Sequence, residues 1–129
     1  MSDRTAELGS AELEALKVLW DHGACTVRQV LTHLHARGKR VAYTTVLTFL
    51  TRLEQKGLAK SNKSGMAYVY RAAVTRDRVS RNRLQVLVEQ LYDGAAGSLV
   101  LQLVKSQSLS KSELDELRAL ISKLDAKRR

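Results

Sequence analysis

Apolar residues recur at helical spacing three times within the first sixty positions. Leu13, Leu16, Val18, Leu19 and Trp20 predict an amphipathic helix over 11–20, with Gly9 or Ser10 as its cap and Gly23 at its end. Thr26 followed three residues later by Gln29 makes a capping box, and Val27, Val30, Leu31 and Leu34 form the stripe of a short second helix that runs out near Gly38. Over 42–56, Val46, Phe49, Leu50 and Leu53 give a third helix closed by Gly57, whose other face carries Thr44, Thr45, Thr48, Thr51 and Arg52. After Gly57 the period becomes that of strands: 58–62 and 66–72 read as the arms of a hairpin with Lys63, Ser64 and Gly65 at its tip.

The rest of the pattern is helical. Thr75 predicts the cap of a long helix to Tyr92, with Leu84, Leu87, Val88 and Leu91 on one face and Arg76, Arg78, Arg81 and Arg83 crowding its first half. Gly94 and Gly97 bracket a turn, and Ser98 opens a short apolar helix through Leu99, Val100, Leu103 and Val104. Ser110 with Glu113 forms another capping box ahead of Leu114, Leu117, Leu120, Ile121 and Leu124. A chain without proline and with seven glycines offers little to interrupt helix, so the fold class is mostly α with a small β-hairpin.

Charge sharpens this picture. The 129 residues carry 22 Lys and Arg against 13 Asp and Glu, a net +9, and the segment 28–71 holds nine of the basic residues against Glu54 alone. Such lopsidedness points to a polyanionic partner, nucleic acid first and an anionic membrane second, more than to a merely solvated face. No membrane insertion is expected, because no apolar run approaches the ~18 residues of a span and no basic helix has an aromatic-rich opposite face. Cys25 has no internal partner and is read as a small residue in the turn between the first two helices. With an opening MSDRTAELGS that lacks the apolar core of a secretory signal, the expected compartment is the cytoplasm.

The chain is too short for two large catalytic halves, and no carboxylate pair, glycine-rich phosphate loop or Ser and His arrangement stands out, so no enzyme is expected. His33 and His35 fall on different helix faces and His22 stands alone near Cys25, so neither a metal nor a cofactor is expected.

Three helices followed by a basic hairpin is the order of a winged helix-turn-helix. A major groove about 12 Å wide admits a helix, and Thr44, Thr45, Thr48 and Arg52 supply groups that read base edges. Arg28, Lys39, Lys60, Lys63, Ser64 and Arg71 would then lie against phosphates, adding affinity without base discrimination. The expected division is a winged-helix DNA-binding head over 1–74 and a helical dimerisation domain over 75–129. The second part has apolar stripes, among them Leu84, Leu87, Leu91, Leu99, Leu103, Leu117, Ile121 and Leu124, too long for the head to cover, and a two-fold dimer would bury them. A self-contained C-terminal bundle is the other possible packing. A winged-helix module that binds protein or RNA is the alternative function, although 5% aromatic content leaves few rings for base stacking.

The stretches AELEALKVLW, TVRQVLTHL, VAYTTVLTFLTRLEQKGL, YVYRA, LYDGAAGSLVLQLV and LSKSELDELRALI together resemble the penicillinase repressor (BlaI/MecI) family of bacterial transcriptional repressors, over residues 8–124. The resemblance implies a homodimer with winged-helix heads and intertwined C-terminal helices, binding an inverted-repeat double-stranded DNA operator and blocking a β-lactamase, resistance or cell-wall stress gene. It implies 42–56 as the operator-reading helix, with Thr44, Thr45, Thr48 and Arg52 toward DNA. Members often carry Arg where this chain has Leu47, so one guanine contact is missing and the usual TACA and TGTA half-sites are not carried over. Members inactivated by a membrane sensor protease are cut between Asn and Phe, and the corresponding bond here joins Gln102 and Leu103. A copper-responsive branch binds metal through C-terminal cysteines, which this chain lacks after Cys25.

Overall fold

The structure is a computed structural model that describes residues 8–128; the opening seven residues, on which the expectation about a leader partly rests, lie outside the described residues. In chain order the elements are α1 (Ser10–His22), β1 (Cys25–Thr26), α2 (Val27–Ala36), α3 (Tyr43–Gln55), β2 (Ala59–Asn62), β3 (Val69–Ala72), α4 (Arg76–Tyr92), α5 (Ala96–Ser106) and α6 (Lys111–Lys127). The chain divides into two compact units, the first ending at Leu87 and the second beginning at Val88.

In the first unit the stripes of α1, α2 and α3 converge. Ala15, Leu16, Val18, Val30, Val46, Leu50 and Leu53 are wholly buried, and removing each large side chain from water contributes roughly 1.5 to 3 kcal/mol. The capping box at the start of α2 is formed: the Gln29 amide donates to Thr26 Oγ1 at 3.2 Å and the Thr26 amide to Gln29 Oε1 at 2.9 Å. Gly57, at φ +77°, turns the chain from α3 into β2 while the Leu58 amide reaches back to the Leu53 carbonyl at 2.8 Å. α4 begins at Thr75, whose hydroxyl accepts from the Arg78 amide at 3.1 Å, and Val79 joins the core.

Four details differ from the sequence pattern. Cys25 is not a turn residue: with Thr26 it forms a strand against β3, pairing with Tyr70, in an antiparallel sheet of order β1-β3-β2. Two residues are too few to show alternation. The second hairpin arm starts at Val69 rather than at 66, because β2 ends at Asn62 and leaves 66–68 no strand to pair with. Asn62 instead accepts from the Ser64 amide at 3.0 Å and from its hydroxyl at 2.6 Å, closing a side-chain turn. α1 extends to His22, and His22 does not stand alone: its ring stacks on His33 at 3.6 Å between centroids. α5 starts two residues before Ser98, straight after the turn at Gly94.

Two acids of α1 tie the unit together. Glu12 is buried, and Lys56 at the end of α3 donates to both its oxygens, at 2.6 and 3.0 Å. Asp21 binds Arg76 at 2.6 Å and also accepts from Arg37, so that one carboxylate joins α1 to the ends of α2 and α4. Trp20 strengthens that junction by donating its indole N–H to the Val74 carbonyl at 2.8 Å, with the Arg76 guanidinium over its ring.

In the second unit, Asp93 and Gly94 adopt φ of +49° and +87° and stop α4, with the Gly94 amide donating to the Val88 carbonyl at 3.0 Å. Ser110 and Glu113 form the capping box of α6, at 3.1 and 2.9 Å, and the Ser110 amide holds the Glu113 carboxyl below its ordinary pKa. Among the described residues no helix is long and apolar enough to cross a membrane.

Glu12→Ala leaves the half-buried Lys56 without its carboxylate and is expected to cost about 2 to 3 kcal/mol, read as a lower urea midpoint at unchanged slope. The hydrogen bonds from Arg76 and then Arg37 hold the Asp21 pKa below the ordinary aspartate range. A carboxyl lowered in the folded state stabilises above that range and loses its contribution as pH falls through it. The urea midpoints of the parent and Asp21→Asn should therefore differ at neutral pH and converge as pH falls below the ordinary aspartate range.

Candidate nucleic-acid interface

α3 is amphipathic across its width. Val46, Leu50 and Leu53 face the core, while Thr44, Leu47, Thr48, Arg52 and Gln55 are exposed and Thr45 and Thr51 are half-buried at the margins. The Thr48 hydroxyl donates to the Thr44 carbonyl one turn back, at 3.0 Å, so the single donor of that side chain is engaged on its own helix.

Beside the first half of α3 lies a groove of about 420 Å³, lined by Thr26, Val27 and Arg28 of the β1–α2 corner, Tyr43 and Leu47 of α3, and 66–68 of the hairpin. Arg28 sits over the Tyr43 ring at 5.0 Å, which fixes its guanidinium at the mouth of this groove. Leu47 also lines the shallower concavity formed by Thr48, Thr51, Arg52 and Gln55. The sequence-predicted Arg28, Thr44, Thr48 and Arg52 are thus brought to one side of the head together with hairpin residues.

Other predicted residues are disposed differently. Lys39 lines a separate groove with Ser10, Ala11, Glu14, Val41 and Phe49, toward the start of α1. Lys60 and Arg71 are paired across β2 and β3, both exposed on the outer face of the sheet. Lys63, at the hairpin tip, lies 3.6 Å from Glu54 and over the Tyr68 ring at 5.6 Å, while Ser64 is bound to Asn62. Of the nine cations in 28–71, Arg37, Lys56 and Lys63 have carboxylate partners. Among the described residues, Arg28, Lys39, Arg40, Arg52, Lys60 and Arg71 are in no ion pair.

Sequence reasoning missed Tyr43, Met66 and Tyr68 of this groove, whose exposed apolar side chains look like core in a pattern of hydrophobic positions. Cys25 is buried, and burial pushes its thiol pKa up, away from a reactive thiolate. His35 hydrogen-bonds the Val41 carbonyl at 2.9 Å, and among the described residues no three metal-binding side chains come together.

The second unit presents apolar surface. Leu91, Leu101, Leu120, Ile121 and Leu124 are more than half exposed, Leu103 is exposed, and Leu99 and Leu117 are half-buried; at the end of the first unit, Leu84 and Leu87 of α4 are exposed as well. Gln102 and Leu103 lie inside α5 with both side chains exposed, and the Ser106 hydroxyl donates to the Gln102 carbonyl at 2.7 Å.

A helix that exposes Thr44, Thr48 and Arg52, seated between a capped helix and a positively charged hairpin, defines a winged-helix DNA-binding protein. The same architecture occurs in the solution structure of the DNA-binding domain of the repressor BlaI, to which this chain is 28% identical, with a TM-score of 0.50 over 58% of this chain and 90% of that one. The penicillinase repressor of Staphylococcus aureus is 26% identical over 98% of this chain and all of its own length. The methicillin resistance regulatory protein MecI of Staphylococcus aureus strain N315 is 27% identical over 95% of this chain and 99% of its own. The family model described as penicillinase repressor matches residues 8–123, and the chain belongs to that family of DNA-binding transcriptional repressors.

Proposed function

We propose that the chain is a cytoplasmic homodimeric repressor that binds an inverted-repeat operator and controls a β-lactamase, resistance or cell-wall stress gene. The observation that carries this reading is the outer face of α3, where Thr44, Leu47, Thr48 and Arg52 stand exposed with Arg28 beside them and no neutralising carboxylate for either arginine among the described residues. In this reading Thr44, Thr45, Thr48 and Arg52 meet base edges, and Arg28, Lys39, Lys60, Lys63, Ser64 and Arg71 meet phosphates. The names of the staphylococcal relatives support the class of regulated gene.

The dimer is supported by the apolar surface of the helices after residue 75, with Leu84, Leu87, Leu91, Leu99, Leu103, Leu117, Ile121 and Leu124 buried against a second copy. Two heads then bind one duplex as a unit. Cleavage between Gln102 and Leu103 by a membrane sensor protease would separate the head from α6 and so from much of that surface.

Arg52→Ala is expected to weaken operator binding by more than about 1 kcal/mol and to relax preference at one base pair. The double change Lys60→Ala with Arg71→Ala should instead weaken all duplexes alike and flatten the logarithmic salt dependence by about two phosphate contacts. Fluorescence anisotropy over a salt series separates the two effects, and unchanged binding in both variants would defeat the assignment. Ile121→Asp is expected to give monomers in sedimentation velocity with lower operator affinity, while an unchanged dimer mass would remove α6 from the interface.

A further inference from the structure

The centre of the α3 outer face is apolar. Leu47 is 36% exposed, carries no donor or acceptor, and is the one side chain shared by the wing-side groove and the concavity along Thr48, Thr51, Arg52 and Gln55. Its neighbour Thr48 has its hydroxyl turned to the Thr44 carbonyl, which leaves the methyl group as the part of the side chain directed away from that bond. A helix laid in the major groove along this face would press an isobutyl group and a methyl group on base edges.

Those edges are polar at guanine, cytosine and adenine, and a leucine set against them would strip water from donors and acceptors without replacing the lost hydrogen bonds. The apolar group that the four standard bases offer in the major groove is the 5-methyl of thymine. We infer that Leu47, flanked by the Thr48 methyl, reads a thymine 5-methyl group, which makes an A·T pair facing the middle of α3 a specificity-determining position of each half-site. Leu47 then discriminates by apolar contact where the flanking Arg52 discriminates by hydrogen bonds. The inference rests on the operator-binding reading above and adds the chemistry of one contact to it.

The test starts with selection of duplexes by the full chain from a random pool. Each thymine of the enriched half-site is then replaced by deoxyuridine, which removes only the methyl group and keeps base pairing. One position per half-site should lose about fourfold in affinity, the worth of one buried methyl. In Leu47→Ala, whose exposed site leaves the core intact, that position should become indifferent to the replacement while the effect of Arg52→Ala persists. Enrichment of a sequence with no uracil-sensitive position, or sensitivity that survives Leu47→Ala, overturns the inference and leaves the repressor reading standing. Failure to enrich any duplex overturns both.

Discussion

The contact between Glu12 and Lys56 sets the pose of the recognition helix. A largely buried carboxylate at the start of α1 holds the half-buried ammonium at the far end of α3 through two hydrogen bonds. Breaking a buried pair is far more costly than never having built one, so the contact works as a pin. Val46, Leu50 and Leu53 packed beneath add close contacts that oppose a roll or slide of α3 and keep its outer side chains facing outward. If α3 reads bases as proposed, a fixed pose serves it more than extra stability would.

The same logic sorts the positive charge. Acids concentrated in α1 neutralise Lys56 and Arg37 from the basic middle of the chain and Arg76 from α4. Glu54 holds the hairpin against α3 through Ser61 and Lys63. Among the described residues the other cations of that basic middle have no carboxylate partner and are exposed, so the charge that builds the fold and the charge left for a partner are separate sets in one short segment. Lys63 belongs partly to both, since a phosphate would have to compete with Glu54 for it.

Most of the architecture was readable because helices announce themselves over many residues. The stripes of α1, α2 and α3, the Thr26–Gln29 and Ser110–Glu113 boxes and the stop at Gly57 are local signals that tertiary contacts reinforced. The parts that were not readable depend on residues distant in sequence. Cys25 becomes a strand residue because Tyr70 passes beside it, and the hairpin tip lengthens because β2 is short. For the site, the Thr44, Thr48 and Arg52 row follows from helical spacing, as does the family from the combined motifs. Which cations would be neutralised does not follow, because a basic run looks the same whether Asp21 and Glu12 lie near it or not. Tyr43 over Arg28 and the exposed Met66 were hidden for the complementary reason: hydrophobicity alone does not say which face an aromatic or thioether will occupy.

Lys60 and Arg71 sit directly across from one another in the β2–β3 ladder, a placement in which like charges repel. The two exposed cations therefore carry a weak repulsion across the sheet, which water and salt screen. A neighbouring row of phosphates would discharge it, so the folded sheet and the bound polyanion favour each other through ordinary thermodynamic linkage. In the proposed complex, the hairpin would thus gain from a polyanion alongside it what water alone does not supply.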